Sequence, residues 1–296
     1  MADTGTDAVR WERRTAPELR ALAARDALVV LPVASMEQHG PHLPVWTDSM
    51  IGHACALRAA ALAAEQAAGA AEQSAAGAQG VPAIVLPPMW MGMSEHHLPF
   101  GGTVTLDYAT FHGVLRGVCR SIRADGFQRL LLVNSHGGNI DPLAVSAREL
   151  CVEFNMPVVA TTIFHVAGDK VGALLDTQPG VQHACEAETS FWLHLDAAQV
   201  RQGEVANSIS PGGDTVGAPF SRFWSFAERA PLTGVIGDPR AATAEKGEKL
   251  LAVVAEALAA AMRDARLWRA PDAVWAPGRA WGRHDGPVPA PPVPRP

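Results

Sequence analysis

Apolar and polar positions fall into blocks along the chain whose lengths and patterns separate strands from helices. Residues 27–34 (ALVVLPVA) are a continuous run of aliphatic and β-branched side chains with polar residues on either side. A run with no polar alternate face predicts a strand covered on both sides. Similar runs at 83–87, 129–134 (RLLLVN) and 157–164 (PVVATTIF) predict three more strands. Helical stretches lie between them. Thr15-Ala16-Pro17-Glu18 is a capping-box pattern with proline in the first turn, opening a short helix to about Arg25. Further helices are predicted from Asp48 through the Ala-rich residues 54–78, where Gly69, Ser74 and Gly77 favour fraying, and at 107–124, 141–155 and 243–267. In the last of these, Leu250, Leu251, Val254 and Leu258 share one face. Strands separated by helices of this length require βαβ crossovers, so the pattern predicts an α/β fold with a mostly parallel central sheet.

Composition narrows this reading. With 296 residues, 48% of them hydrophobic and 18% charged, the chain can bury a full core. No internal boundary is visible in residues 1–270, which are read as one domain. Residues 271–296 form a proline-rich tail that ends in PVPAPPVPRP. No run of about 18 apolar residues occurs, so no membrane span is expected. The net charge of -6 argues against nucleic acid as a partner and favours a small-molecule substrate. The N-terminus lacks a basic segment followed by an apolar one, and Cys55, Cys119, Cys151 and Cys185 form no C-x-x-C pair. Both features predict a cytoplasmic protein with reduced thiols.

The candidate chemistry gathers at strand ends. Ser35-Met36-Glu37-Gln38-His39-Gly40-Pro41-His42 follows the first strand, with Thr47-Asp48 close behind. In extended backbone Glu37 and His39 point to one side, and the turn at Gly40-Pro41 lets Asp48 return to it. Two carboxylates and an imidazole without thiolate suit Zn, Mn or Fe, although the same residues could decorate a solvated loop. The third strand runs into Ser135-His136-Gly137-Gly138-Asn139, where parallel sheets bind ligands. His183-Ala184-Cys185-Glu186-Ala187-Glu188 precedes a buried helix, whose dipole alone would account for the two glutamates. In Ser94-Glu95-His96-His97, regular structure would send the adjacent histidines to opposite sides, so one is expected at the surface.

Together these segments, with Gly234-Val235-Ile236-Gly237 and the helix after it, resemble the creatininase family of metal-dependent amidohydrolases over about residues 27–266. The resemblance implies a three-layer α/β/α sandwich, two divalent metal ions per chain and a homo-oligomer, commonly a hexamer. Carried over, Glu37 and His136 hold one ion, His39 holds the other, and Asp48 bridges both. Cations roughly 3.5–4 Å apart need an anion between them. Creatininase itself has a glutamate where this chain has Gly138, so the missing carboxylate is assigned to Glu188. His183 and Glu186 are the candidate catalytic residues, His183 matching a histidine proposed as proton carrier.

Creatininase also closes its pocket with tryptophans, and none lies between His136 and His183. The expected lining is therefore polar, with His42, His97, Gly137, Gly138, Asn139 and His165, and creatinine is expected to be a poor substrate. The implied reaction is opening of a C–N amide bond in a small polar substrate by a metal-activated water. Alternatives are creatinine hydrolysis proper, peptide trimming, keto-inositol ring opening, or a non-catalytic oligomeric metal-binding scaffold.

Overall fold

The computed structural model describes residues 4–73, 82–213 and 219–269. The far end of the Ala-rich helix and the proline-rich tail lie outside them. Helix α1 (Ala16–Ala24) opens with the predicted capping box: the Glu18 carboxylate accepts from the Thr15 amide and hydroxyl at 2.7 Å each. Then β1 (Leu28–Val33), α2 (Thr47–Gln73), β2 (Ala83–Val85), α3 (Tyr108–Ala124), β3 (Leu130–Asn134), α4 (Ile140–Phe154) and β4 (Val158–Thr162) alternate along the chain. Helices α5 (Glu186–Asp196) and α6 (Ala244–Arg263) complete the main elements.

The four strands form one parallel sheet in the order β2-β1-β3-β4. All six residues of β1 are buried, as expected of a strand covered on both faces. Leu28, Val30, Leu131 and Val133 pack with α2, α5 and α6. The alternate residues Val29, Leu31, Leu130 and Leu132 pack with α1, α3 and α4. Period-two alternation thus feeds two separate cores and produces the three-layer α/β/α sandwich.

Strand β2 is shorter than predicted because Pro87 and Pro88 cannot donate to a ladder. Pro32 sits where β2 has already left the sheet, and its carbonyl accepts from the Met89 amide at 2.9 Å. Strand β4 also ends early. Ile163–Val166 winds into a helical turn, and residues 265–268 form a separate turn capped by Asp264. No helix among the described residues is long and apolar enough to cross a membrane.

From β1 the chain moves to one edge to form β2, then crosses to the other side for β3. The order reverses between β1 and β3, which makes the carboxyl ends of these two strands the expected ligand crevice. Helix α2 comes unusually close there. A side chain at Gly52 would meet the Ser135 hydroxyl at 2.5 Å, and its absence lets Ser135 donate to the Asp48 carbonyl at 2.8 Å.

Candidate metal centre

Five residues from four places in the sequence converge beyond β1 and β3. Glu37 and His39 follow β1, Asp48 lies in the first turn of α2, His136 lies just past β3, and Glu188 lies in the first turn of α5. All five are buried. His136 Nδ1 stands 2.9 Å from Glu37 Oε2 and 3.2 Å from Asp48 Oδ2. His39 Nε2 stands 3.2 Å from Asp48 Oδ1 and 3.8 Å from Glu188 Oε2. Two triads result from these five residues, Glu37-Asp48-His136 and His39-Asp48-Glu188, each compact enough for one ion and sharing Asp48; His183 forms a third compact group with Glu37 and His39.

The surrounding hydrogen bonds aim the ring nitrogens. His39 Nδ1 faces the Glu37 carbonyl at 3.2 Å, which fixes its proton there and leaves Nε2 bare toward Asp48. His136 is held in the opposite sense, with Nε2 toward the Met93 carbonyl at 3.2 Å and Nδ1 toward the carboxylates. Such outer contacts set tautomer and orientation in metal sites. Ser94 donates to Glu37 Oε2 at 2.7 Å and lies 3.0 Å from His136 Nε2, so one hydroxyl steadies both.

Electrostatics show what is missing. Among the described residues, His39 Nε2 and Asp48 Oδ2 are buried with no hydrogen bond of good geometry, close as each lies to the other groups of the cluster. Burial alone would push the His39 imidazole down, but Asp48, Glu188 and Glu37 outweigh it and lift it to about 9. His136 is lifted in the same way, against burial, by Glu37 and Asp48. Burial and the repulsion of Asp48 and Glu37 raise the Glu188 carboxyl to about 8, although His39 opposes them. Three carboxylates out of water demand positive charge. The oxygen and imidazole donors fit divalent cations, and two of the partnerless buried atoms among the described residues belong to the shared aspartate and one of its histidines.

His183 joins the cluster from the side. Its Nε2 faces the Gln38 carbonyl at 2.8 Å, which leaves Nδ1 free 3.6 Å from Glu37 Oε1. Burial pushes this imidazole well down, with the nearby His39 adding to the effect. The backbone makes the placement possible: Ala184 adopts φ +52°, and its amide donates to Glu188 Oε2 at 2.5 Å. His183 also pairs with Ile236 in an isolated antiparallel bridge, which is what the Gly234–Gly237 segment contributes.

The other anticipated residues divide. The Glu186 carboxylate accepts from the Asp176 and Thr177 amides and pairs with Lys246, so the structure does not bring it to the cluster. Asn139 spends its amide on the Met93 amide and the Ala34 carbonyl, tying two loops together. His42 is fully buried with Nε2 on Thr189. His97 Nδ1 takes the Gln38 amide, so its Nε2 donates to Glu37 Oε1 at 3.2 Å. Gly137 is exposed. A side chain at Gly138 would meet both His136 Nε2 and the Met93 carbonyl at 2.4 Å. His165 is exposed on the turn after β4 and lines a different depression, with Asp169 and Lys170.

Two expectations are corrected. Both His96 and His97 belong to the site, because Glu95–Phe100 is a 3-10 turn whose spacing does not alternate sides. His96 stacks on His136 with centroids 5.7 Å apart and planes 8° apart. The lining is also not wholly polar. Phe226 stacks 4.1 Å from His97 and meets His183 edge-on at 4.6 Å, while Phe223 lies 4.7 Å from His96. The aromatic cluster Phe223-Trp224-Ser225-Phe226 was the only sequence signal for this cover.

Fold and site together define an α/β/α protein with a buried donor set for divalent cations. The family model for creatininase, described as creatinine amidohydrolase, matches residues 12–262. The chain belongs to the creatininase family of amidohydrolases. It is 32% identical over 239 residues to the mycofactocin precursor peptide peptidase of Mycolicibacterium smegmatis, covering 79% of this chain and 83% of that protein. With the creatinine amidohydrolase of Pseudomonas putida it shares 26% over 262 residues, 82% and 91% of the two chains. The manganese form of creatininase superposes with a TM-score of 0.71 at 25% identity, covering 87% of this chain and 98% of that one.

Proposed function

We propose that the chain hydrolyses a C–N amide bond in a small substrate with the help of two divalent ions, Zn, Mn or Fe. The observation that carries this reading is Asp48, one buried carboxylate shared by two compact ligand triads. Glu37 and His136 would hold one ion, His39 and Glu188 the other, with Asp48 between them. When bound, such ions supply a water of near-neutral pKa and polarise a carbonyl oxygen.

The chain's own residues do the rest. His183, neutral and with Nδ1 free, accepts a proton at that atom and passes it to the departing nitrogen. His97 and Ser94 hold Glu37 in place from two directions. Phe226 excludes water from the His97 and His183 faces. Glu186 has a structural role in this scheme, anchoring the start of α5 to Lys246.

Elemental analysis of the purified and reconstituted protein, followed by a panel of creatinine, formamides, lactams and short peptides, tests the proposal. About two ions per chain and turnover of an amide are expected. His183→Gln should keep the metal and lose most of kcat. Absence of metal after reconstitution, or bound metal without turnover across the panel, would refute the reading.

A further inference from the structure

The segment covering the site carries a cation that, among the described residues, meets a ring but no carboxylate. Phe226 closes on His97 and His183, and Phe223 lies against His96, which in turn stacks on His136. Over the ring of Phe223 sits the Arg229 guanidinium, its central carbon 3.9 Å from the ring centroid. Arg229 is half-buried, and its side chain makes no ion pair or hydrogen bond among the described residues. The adjacent carboxylate is already taken: Glu228 accepts from the Trp224 and Ser225 amides at 3.1 and 3.2 Å and pairs with Arg222 at 3.3 Å. A ring face attracts a guanidinium but accepts none of its five in-plane N–H groups in the geometry they prefer.

Arg229 is also held in place. Ser225 and Glu228 form a capping box at the start of its turn, the Ala230 amide bonds the Phe226 carbonyl at 2.9 Å, and the Gly213 amide bonds the Arg229 carbonyl at 3.1 Å. With the backbone around it fixed and the guanidinium resting on a ring, a partly desolvated fork of donors beside the site is a recognition element whose ordering cost is partly met before binding. Its planar geometry matches a carboxylate. In a chain of net charge -6, an anionic substrate needs such a local cation.

We propose that Arg229 is a specificity-determining residue that binds a carboxylate group of the substrate, whose apolar portion lies on Phe223. This rests on the amidohydrolase reading above. The guanidinium stands two ring contacts out from His136, so the carboxylate it takes lies several bonds from the amide that is cleaved.

The test compares N-formylglycyl-L-phenylalanine with its C-terminal carboxamide as ligands of the zinc-loaded protein, by calorimetry or competition. Wild type should bind the acid at least tenfold tighter than the carboxamide. Arg229→Gln should bring the two within about twofold, Arg229→Lys should keep part of the preference, and both variants should retain wild-type metal content. The same pair is measured on metal-free protein, where no ion can bind the carboxylate. Failure to take up zinc would refute the metal reading while leaving the acid-to-amide ratio readable there. Equal binding of acid and carboxamide by wild type, binding of neither, or an acid preference that survives in Arg229→Gln would each overturn the proposal.

Discussion

Replacing Asp48 by asparagine changes the centre's charge while keeping its shape. Oδ1 lies 3.2 Å from His39 Nε2 and Oδ2 lies 3.2 Å from His136 Nδ1, so the substitution acts on both triads at once. Unit charges about 4 Å apart interact by about 4 kcal/mol at an effective dielectric near 20. Each 1.4 kcal/mol is a factor of ten, so loss of the shared charge should weaken each ion by roughly a thousandfold or more. The loss is asymmetric as well. The new amide must turn its NH2 toward one of the two imidazoles, where it donates to the lone pair meant for a metal. One position therefore loses two ligands, and the other keeps an amide oxygen.

The backbone should not register the change. The first turn of α2 is anchored by the Ser135 hydroxyl on the Asp48 carbonyl, a bond the substitution leaves alone. Far-UV circular dichroism of Asp48→Asn should match wild type, as should that of Asp125→Asn, an exposed control. Titration of metal-free protein against a competing chelator gives the two affinities. Wild type should take up about two ions per chain, and Asp48→Asn at most one, bound weakly. Two ions held with wild-type affinity by Asp48→Asn would show that the carboxylate does not bridge.

The same titration separates the two glutamates of α5: Glu188→Gln should weaken one ion on the order of a hundredfold and leave the other unchanged. Glu186→Gln should keep both ions but lower Tm by a few degrees, since breaking its partly exposed pair with Lys246 costs about 1–3 kcal/mol; metal loss in Glu186→Gln would contradict this division. Gly138→Ala puts a methyl into the space of His136 Nε2 and the Met93 carbonyl, so it should cost about 1–3 kcal/mol and release the ion on the Glu37-His136 side first. An unchanged melting temperature and metal content would show that the loop yields without moving His136.

The sheet was legible because burial on both faces leaves an unbroken apolar run, and β1 carries one in residues 27–34. Strand ends were less so: Pro87 and Pro88 remove donors from β2, and Ile163–Val166 turns helical despite β-branched neighbours. Glu37, His39 and Asp48 could be read together because short spacings bring them to one place, and His136 stood at a second strand end; only the resemblance to the creatininase family joined the four into one site. From the residues alone Glu186 and Glu188 could not be told apart, since an N-terminal helical turn offers the same dipole to both; only the resemblance gave Glu188 to the metal and Glu186 to catalysis. Tertiary contacts separate them: the Ala184 amide, available only through a positive φ, turns Glu188 inward, while Lys246 from α6 captures Glu186.

The two histidines show most clearly where sequence reasoning stops. Both imidazoles can be named as candidate ligands, yet one presents Nε2 to the carboxylates and the other Nδ1. What selects the nitrogen is a backbone carbonyl in each case, Glu37 for His39 and Met93 for His136. The first lies two residues away, and the second comes from a loop 43 residues earlier. That loop is pinned by Asn139, whose side chain bonds the Met93 amide and the Ala34 carbonyl. Asn139 therefore acts on the centre through the backbone, by fixing the carbonyl that decides which nitrogen of His136 faces Asp48. The cover made by Phe223 and Phe226 depends on contacts of the same kind. A residue chosen for its chemistry can be found in a sequence, whereas one that acts by holding another residue's backbone becomes visible only once the fold has placed them side by side.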